Sequence, residues 1–400
     1  MVAGERVPPE VAHLALLFTL FVLPRVLQRF RLPQAVTSVG IGAAVGLGLG
    51  WFEQDPTVNL LATLGIVSLF LFAGLDVDFD ELWQEARVLL QHVALGLGAL
   101  LLTALLAAWS LGLELRVATL VALALLTPSC GFILDSLPAW GFDRQQRFWV
   151  KSKVIATEVV ALGALFVAMQ SRDLQGLAGA SAAMLALVAL LPLVFWSFAR
   201  VVLPYAPKSE FAFLLMMAVF AALVTRRLGV YYLVGAFIVG TAAQRFREHL
   251  PAMASERMLH AVEVFASVFV PFYFFSAGLG LRAADFSGEA LQLGAIFLLL
   301  AVPVRIALVA LHRRLALGES LRRGARIGLA MVPTLVFGLV IAGLLRDAFG
   351  ISDALFGGLM VYTLANTLLP GFFLGGRVPA AVAEDDPSST PRSRLEAPVP

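Results

Sequence analysis

Charge is scarce in this sequence: Asp, Glu, Lys and Arg make up 14% of its 400 residues, against roughly 25% in soluble domains. That shortage, with 60% hydrophobic residues and a mean hydropathy of +0.89, excludes an ordinary soluble domain and places the chain in a bilayer. The single cysteine, Cys130, lies inside an apolar run, which excludes a disulfide framework and a thiolate metal cage. A net charge of +2, with basic residues scattered over many loops, excludes a nucleic-acid-binding stripe. The sequence has no P-loop, no His-Glu-x-x-His and no Gly-x-Ser-x-Gly, so it offers no enzyme constellation and implies no cofactor. His13 and His92 stand alone near span ends, without nitrogen or sulfur companions in sequence, and imply no metal centre.

What the sequence has in abundance is long apolar runs. A spanning helix needs about 20 such residues, and thirteen runs qualify, near 11–29, 34–52, 57–76, 87–111, 116–138, 150–170, 177–203, 210–227, 230–245, 260–281, 288–312, 323–346 and 352–376. The fold expected is an all-α integral membrane protein of about thirteen transmembrane helices. The first run leads into Arg25–Arg31 without a small-residue cleavage site, so it reads as helix one and not as a signal peptide. Lys and Arg collect on the cytoplasmic side of inserted helices. Connections after odd-numbered spans hold eighteen of them and connections after even-numbered spans six, which places the N-terminus outside and the C-terminus in the cytoplasm of a plasma (inner) membrane. After Arg377 the chain turns polar and Pro-rich, and 377–400 reads as a disordered cytoplasmic tail behind a membrane domain of 1–376.

One pattern occurs twice. Helix three ends Phe72-Ala73-Gly74-Leu75 and helix ten ends Ser276-Ala277-Gly278-Leu279; Pro128 follows Gly74 by 54 residues, and Pro333 follows Gly278 by 55. Equivalent helices are seven apart, so the second copy enters the membrane from the opposite side. The chain divides into repeat one (about 11–170), a linker helix (about 177–203) and an inverted repeat two (about 210–376). Proline removes a backbone donor and clashes with the preceding turn; the carbonyls it frees are tolerated in hydrocarbon only beside protein or a polar cavity. Two such breaks in corresponding positions point to a substrate site between crossed discontinuous helices, with the hydroxyls of Thr127, Ser129 and Thr334 beside them.

An acidic side chain inside a span marks a functional site. Glu158 is the strongest such residue: its helical neighbours Val154, Ile155, Ala161 and Leu162 are apolar, so nothing on its own helix neutralises it. Desolvation disfavours its ionised form, as a proton carrier requires, and when ionised it can ligate a hard cation. Arg305 is the one basic residue deep in a span and the obvious charge partner, fixed in its protonation. Asp135, Asp76, Asp78, Glu81 and Glu263 sit near span ends and read as interfacial acids, Asp135 being a possible contributor. Asn366 and Thr367 occupy the repeat-equivalent place of Thr157 and Glu158, as ligands or as polar glue between helices. Lys151 and Lys153 open helix six and read as snorkelling topology anchors.

Leu64–Asp78, Tyr232–Gly240 and Pro271–Leu279 resemble signature elements of the monovalent cation:proton antiporter-2 family, which includes bacterial Na+/H+ exchangers and potassium-efflux antiporters. The resemblance implies a six-helix core moving against a dimerisation domain, and a homodimer. It places the family's ion-binding carboxylate pair on Thr157 and Glu158 and its core cation on Arg305. The sequence departs from the family in carrying Thr-Glu for the usual Asp-Asp, Asn-Asp or Gln-Asp, and Pro333-Thr334-Leu335 where Arg-Gly-Glu often stands. The function expected is electroneutral exchange of one Na+ or K+ for one proton by alternating access around Glu158. Crossed helix ends also suit a sodium-coupled symporter of a small organic anion, and the departures allow a non-transporting membrane sensor or subunit of the same fold.

Overall fold

The computed structural model describes residues 8–374 apart from 53, 78, 171–173, 229–232 and 247–255. Asp78, Tyr232 and the expected tail therefore lie outside the described residues. Sixteen α-helices follow one another with no strand among the described residues: α1 (Pro9–Gln28), α2 (Gln34–Leu49), α3 (Pro56–Leu75), α4 (Phe79–Gln84), α5 (Ala86–Leu111), α6 (Leu115–Leu126), α7 (Cys130–Ser136), α8 (Arg144–Gln170), α9 (Leu174–Ser197), α10 (Glu210–Arg227), α11 (Leu233–Arg245), α12 (Glu256–Leu279), α13 (Gly288–Leu317), α14 (Leu321–Ala330), α15 (Leu335–Phe349) and α16 (Asp353–Phe373). Every expected span falls on helix among the described residues, two of them broken, after Leu126 and after Ala330. Among the described residues nine, with α6 and α7 taken together, are long and apolar enough to cross a membrane, and α14 with α15, bent by 52°, makes a tenth. The remaining three fall on α2, α10 and α11, which are shorter or carry charged ends.

The two halves pack alike. In α3, a Cβ on Gly74 would stand 3.0 Å from the Gly240 Cα of α11; in α12, a Cβ on Gly278 would stand 3.0 Å from the Gly42 Cα of α2. The equivalent helices α3 and α12 thus each meet a partner glycine to glycine, the small-residue contact that lets membrane helices approach closely. Alanine at Gly74 or Gly278 is expected to cost about 1–3 kcal/mol by overpacking against backbone that cannot yield. Gly163→Ala in α8, where a Cβ meets nothing within 4 Å, is expected to stabilise by about 0.5–1 kcal/mol. Thermal unfolding of the three variants in one detergent checks the contrast.

Burial divides the bundle. Six consecutive residues of α6, Leu120 to Leu125, are buried, as is most of α15, whereas α1, α5 and α9 expose Phe18, Leu101, Leu102, Leu185 and Leu190. Apolar side chains facing outward on that scale belong against lipid. α8 starts six residues before its apolar run, at Arg144, because Asp143 and Gln146 cap it reciprocally: the Gln146 N–H donates to Asp143 Oδ1 (2.7 Å) and the Asp143 N–H to Gln146 Oε1 (3.2 Å). Arg144, Arg147, Lys151 and Lys153 therefore belong to the helix and not to a loop.

Candidate ion site

Five other prolines, Pro24, Pro192, Pro271, Pro303 and Pro370, sit inside helices that continue through them. Pro128 and Pro333 differ because the carbonyls at their breaks have partners. α6 stops at Leu126, and Thr127, the residue before Pro128, is extended (φ −79°, ψ 118°), as the proline ring requires of its predecessor. The buried guanidinium of Arg305, from α13, then takes up carbonyls from both first half-helices. Its Nη1 donates to Leu125 O (3.3 Å) of α6 and to Val332 O (2.6 Å) after α14, and its Nη2 to Met331 O (2.7 Å). Tyr362 of α16 completes the set, its hydroxyl donating to Leu125 O (2.6 Å) and accepting from Arg305 Nη1 (3.2 Å). A fixed cation therefore sits where two helix dipoles present their negative ends.

The second half-helices meet across the same point. The Ser129 N–H donates to Pro333 O (2.8 Å), and the Val336 N–H to Ser129 Oγ (3.2 Å). In repeat two the Thr334 N–H donates to Asn366 Oδ1 (3.1 Å), whose Nδ2 donates to Thr334 Oγ1 (2.9 Å), so the α16 amide closes the start of α15. In repeat one the equivalent place belongs to Glu158 of α8. It is 3% exposed, with the Cys130 backbone N–H and thiol at the start of α7 in hydrogen-bond range of its carboxylate. Its Oε2 has no partner among the described residues. One repeat thus carries a fixed amide and the other an ionisable carboxylate in matching surroundings.

Thr127, Pro128, Ser129, Pro333, Thr334, Arg305 and Asn366 are all brought to the crossing. Arg305 makes no ion pair among the described residues; its donors are committed to carbonyls and Tyr362. Thr157 and Glu158, one residue apart, point about 100° apart around α8. The Thr157 hydroxyl donates to Lys153 O (2.8 Å) and meets His92 Nε2 (3.3 Å), away from Cys130. It lines a cavity of about 90 Å³ with His92, Thr127, Pro128 and Arg305. Asp135 is exposed in a second cavity of about 440 Å³ shared with Asp76 and Glu263, and Asp76 pairs with Lys151 (3.0 Å). Lys153 is no snorkelling anchor: it is fully buried, its Nζ 2.8 Å from His312 Nδ1, because α8 extends past the apolar run. Sequence reasoning missed Tyr362, although it lies one turn before Asn366 and shares its face. It also missed His312, seven residues after Arg305 along α13.

Comparison with known proteins agrees with this architecture. The family model for the transmembrane region of sodium/hydrogen exchangers matches residues 15–376. A probable Na+/H+ antiporter 3 of Methanocaldococcus jannaschii is 38% identical over 74 residues, 18% of this chain and 19% of that protein. The Na+/H+ antiporter NhaS5 of Synechocystis is 24% identical over 282 residues, 68% of this chain and 39% of that protein, so the matches span well under half the length of either relative. The structure of the sodium proton antiporter MjNhaP1 from Methanocaldococcus jannaschii at pH 8 superposes with a TM-score of 0.62 at 13% identity, over 92% of this chain and 94% of that one. An electron-microscopy structure of the same antiporter gives 0.63 at 12% identity, over 92% and 95%. At such identities the likeness is one of fold.

Proposed function

This chain belongs to the sodium/hydrogen exchanger family, and we propose that it is a cation:proton antiporter, a transporter and not an enzyme, that exchanges Na+ or K+ for protons at Glu158. The observation that carries this reading is the unpartnered Oε2 of a buried carboxylate. A carboxylate that the fold neither neutralises with Arg305 nor exposes to solvent needs a positive partner, and a proton or a monovalent cation can each supply it, but not both together. Competition for one carboxylate is the simplest chemistry of exchange. Because the donors of Arg305 are spent on carbonyls, its charge stays constant through the cycle, and one cation leaves for each proton that enters. Exchange is therefore electroneutral.

The side walls of the site support alternating access: one cavity reaches the crossing beside Thr127 and Arg305, and another brings Asp76 and Asp135 to α7. The asymmetry of Lys and Arg between alternate connections supports an N-terminus outside and a cytoplasmic C-terminus in the plasma membrane, and the family resemblance implies a homodimer. Purified protein in proteoliposomes, with internal pH followed after external Na+, K+ or Li+ is added, tests the reading. Addition of at least one of these cations is expected to alkalinise the lumen if it was preloaded with protons, at a rate indifferent to an imposed membrane potential. Proton movement blind to every cation, or unchanged in Glu158→Gln, overturns it.

A further inference from the structure

On the side of α8 turned away from Glu158, two buried nitrogen bases, Lys153 and His312, meet a half-buried third, His92, and the exchange chemistry above uses none of them. Lys153 Nζ lies 2.8 Å from His312 Nδ1, the His312 and His92 ring centroids are 5.7 Å apart, and His92 Nε2 lies 3.3 Å from Thr157 Oγ1. The hydrogen bonds fix the His92 tautomer and, with Lys153 as the ammonium, that of His312. The one hydroxyl proton of Thr157 goes to Lys153 O (2.8 Å), so Thr157 accepts from His92, which must carry its proton on Nε2. An ammonium only donates, so His312 accepts at Nδ1 and carries its proton on Nε2, which is buried and without a partner among the described residues. His92 Nδ1 is then the basic nitrogen of the cluster with a free lone pair, and its ring lines the cavity at the helix crossing.

We propose that His92, His312 and Lys153 form a second proton-binding site, separate from Glu158, that holds one shared proton at rest and takes up another on His92 Nδ1. The new N–H bond forms as an O–H bond of a hydronium breaks, leaving water. The added charge faces Lys153 from α8, and His312 and Arg313 from α13, with Arg305 across the cavity. The compensating acid is Glu319, already held by Arg313 at 2.5 and 2.8 Å, while the α6 and α14 residues lining the cavity are uncharged. Arg313 stacks over Trp149 at 5.4 Å, and Trp149 and Glu319 line a pocket of about 450 Å³ with Glu85 and Arg323 at the positively charged end of the bundle. The cluster thus lies between that pocket and the crossing. A proton there opposes a cation at neighbouring Glu158, a consequence that rests on the exchange reading, whereas proton binding itself does not.

The test is an NMR titration of 15N-histidine-labelled, full-length protein in nanodiscs, with the His92 signals assigned by their absence in H92Q. Wild-type His92 is expected to start as the Nε2–H tautomer and to become doubly protonated as the pH is lowered. In K153Q, which removes the nearest positive charge, His92 is expected to take up its proton at a pH higher by about one unit. In proteoliposomes the acid-side fall of cation-driven flux is expected to steepen with about two protons in wild type and about one in H92Q. A His92 ring in the Nδ1–H tautomer, one that stays singly protonated down to the acid limit of the folded protein, or one blind to K153Q overturns the proposal. The spectra need no transport, so a failure of cation-driven flux with a normal titration would overturn the exchange reading alone.

Discussion

Arg305→Met is expected to be the most damaging single substitution in the protein, lowering its stability by about 2–6 kcal/mol. Arg305 is 8% exposed, and its two terminal nitrogens reach carbonyls that no helix can satisfy. Leu125 O keeps Tyr362 as a donor in the variant, but Met331 O and Val332 O lose the partners seen here, at about 1–3 kcal/mol for each buried acceptor left unpaired. The negative ends of α6 and α14 also lose their compensating charge. Lysine restores the charge but not the fork, since one nitrogen cannot serve both Met331 O and the Leu125–Val332 pair, so R305K should fall between wild type and R305M. Tyr362→Phe, which removes one donor from a carbonyl that Arg305 still reaches, is expected to cost about 0.5–1.5 kcal/mol. Thermal unfolding in detergent ranks the three. An R305M protein that melts with wild type would mean that the breaks hold without the arginine.

The order of that ranking was not available from the sequence, although its participants were. Apolar runs and the matching Gly74 and Gly278 contexts made the all-helical membrane fold, the repeat and the two proline breaks legible, because lipid forces each of these through local composition. The partners of Arg305 were not legible: a buried arginine beside a buried glutamate reads as an ion pair, and backbone carbonyls freed by a break leave no mark in the side-chain sequence. Helix phase was the other blind spot. Thr157 and Glu158 are neighbours in sequence and read as one pair of ligands, yet a helix turns about 100° between them and delivers them to opposite sites. The same effect hid the His92–His312–Lys153 cluster, whose members come from α5, α13 and α8 and are each unremarkable alone. Lys153 was misread because Asp143 and Gln146 start α8 outside the apolar run, drawing a lysine that looks interfacial into the interior.

Glu158→Gln is expected to abolish cation-driven proton flux to the protein-free background while leaving the protein at least as stable as wild type. The repeat supplies the reason. In repeat two, Asn366 already shows that an amide oxygen can accept from the first N–H of a second half-helix, Thr334 N at 3.1 Å. A glutamine at 158 can accept from Cys130 in the same manner, and the unpartnered Oε2 becomes a neutral NH2 group, less costly to bury than an ionised oxygen. Nothing remains to titrate, so neither proton nor cation has a charge to answer. Glu158→Asp separates charge from reach. It keeps a carboxylate but withdraws it from Cys130 by one methylene, at about 1 kcal/mol for the lost packing, and is expected to exchange slowly with weakened cation affinity. If E158Q lost stability together with flux, the carboxylate would be a structural tie to α7; if E158D matched E158Q in having no flux, distance to the α7 start and not charge would govern the site. Cation-dependence curves and melting of both variants, measured on the same preparations, separate these outcomes.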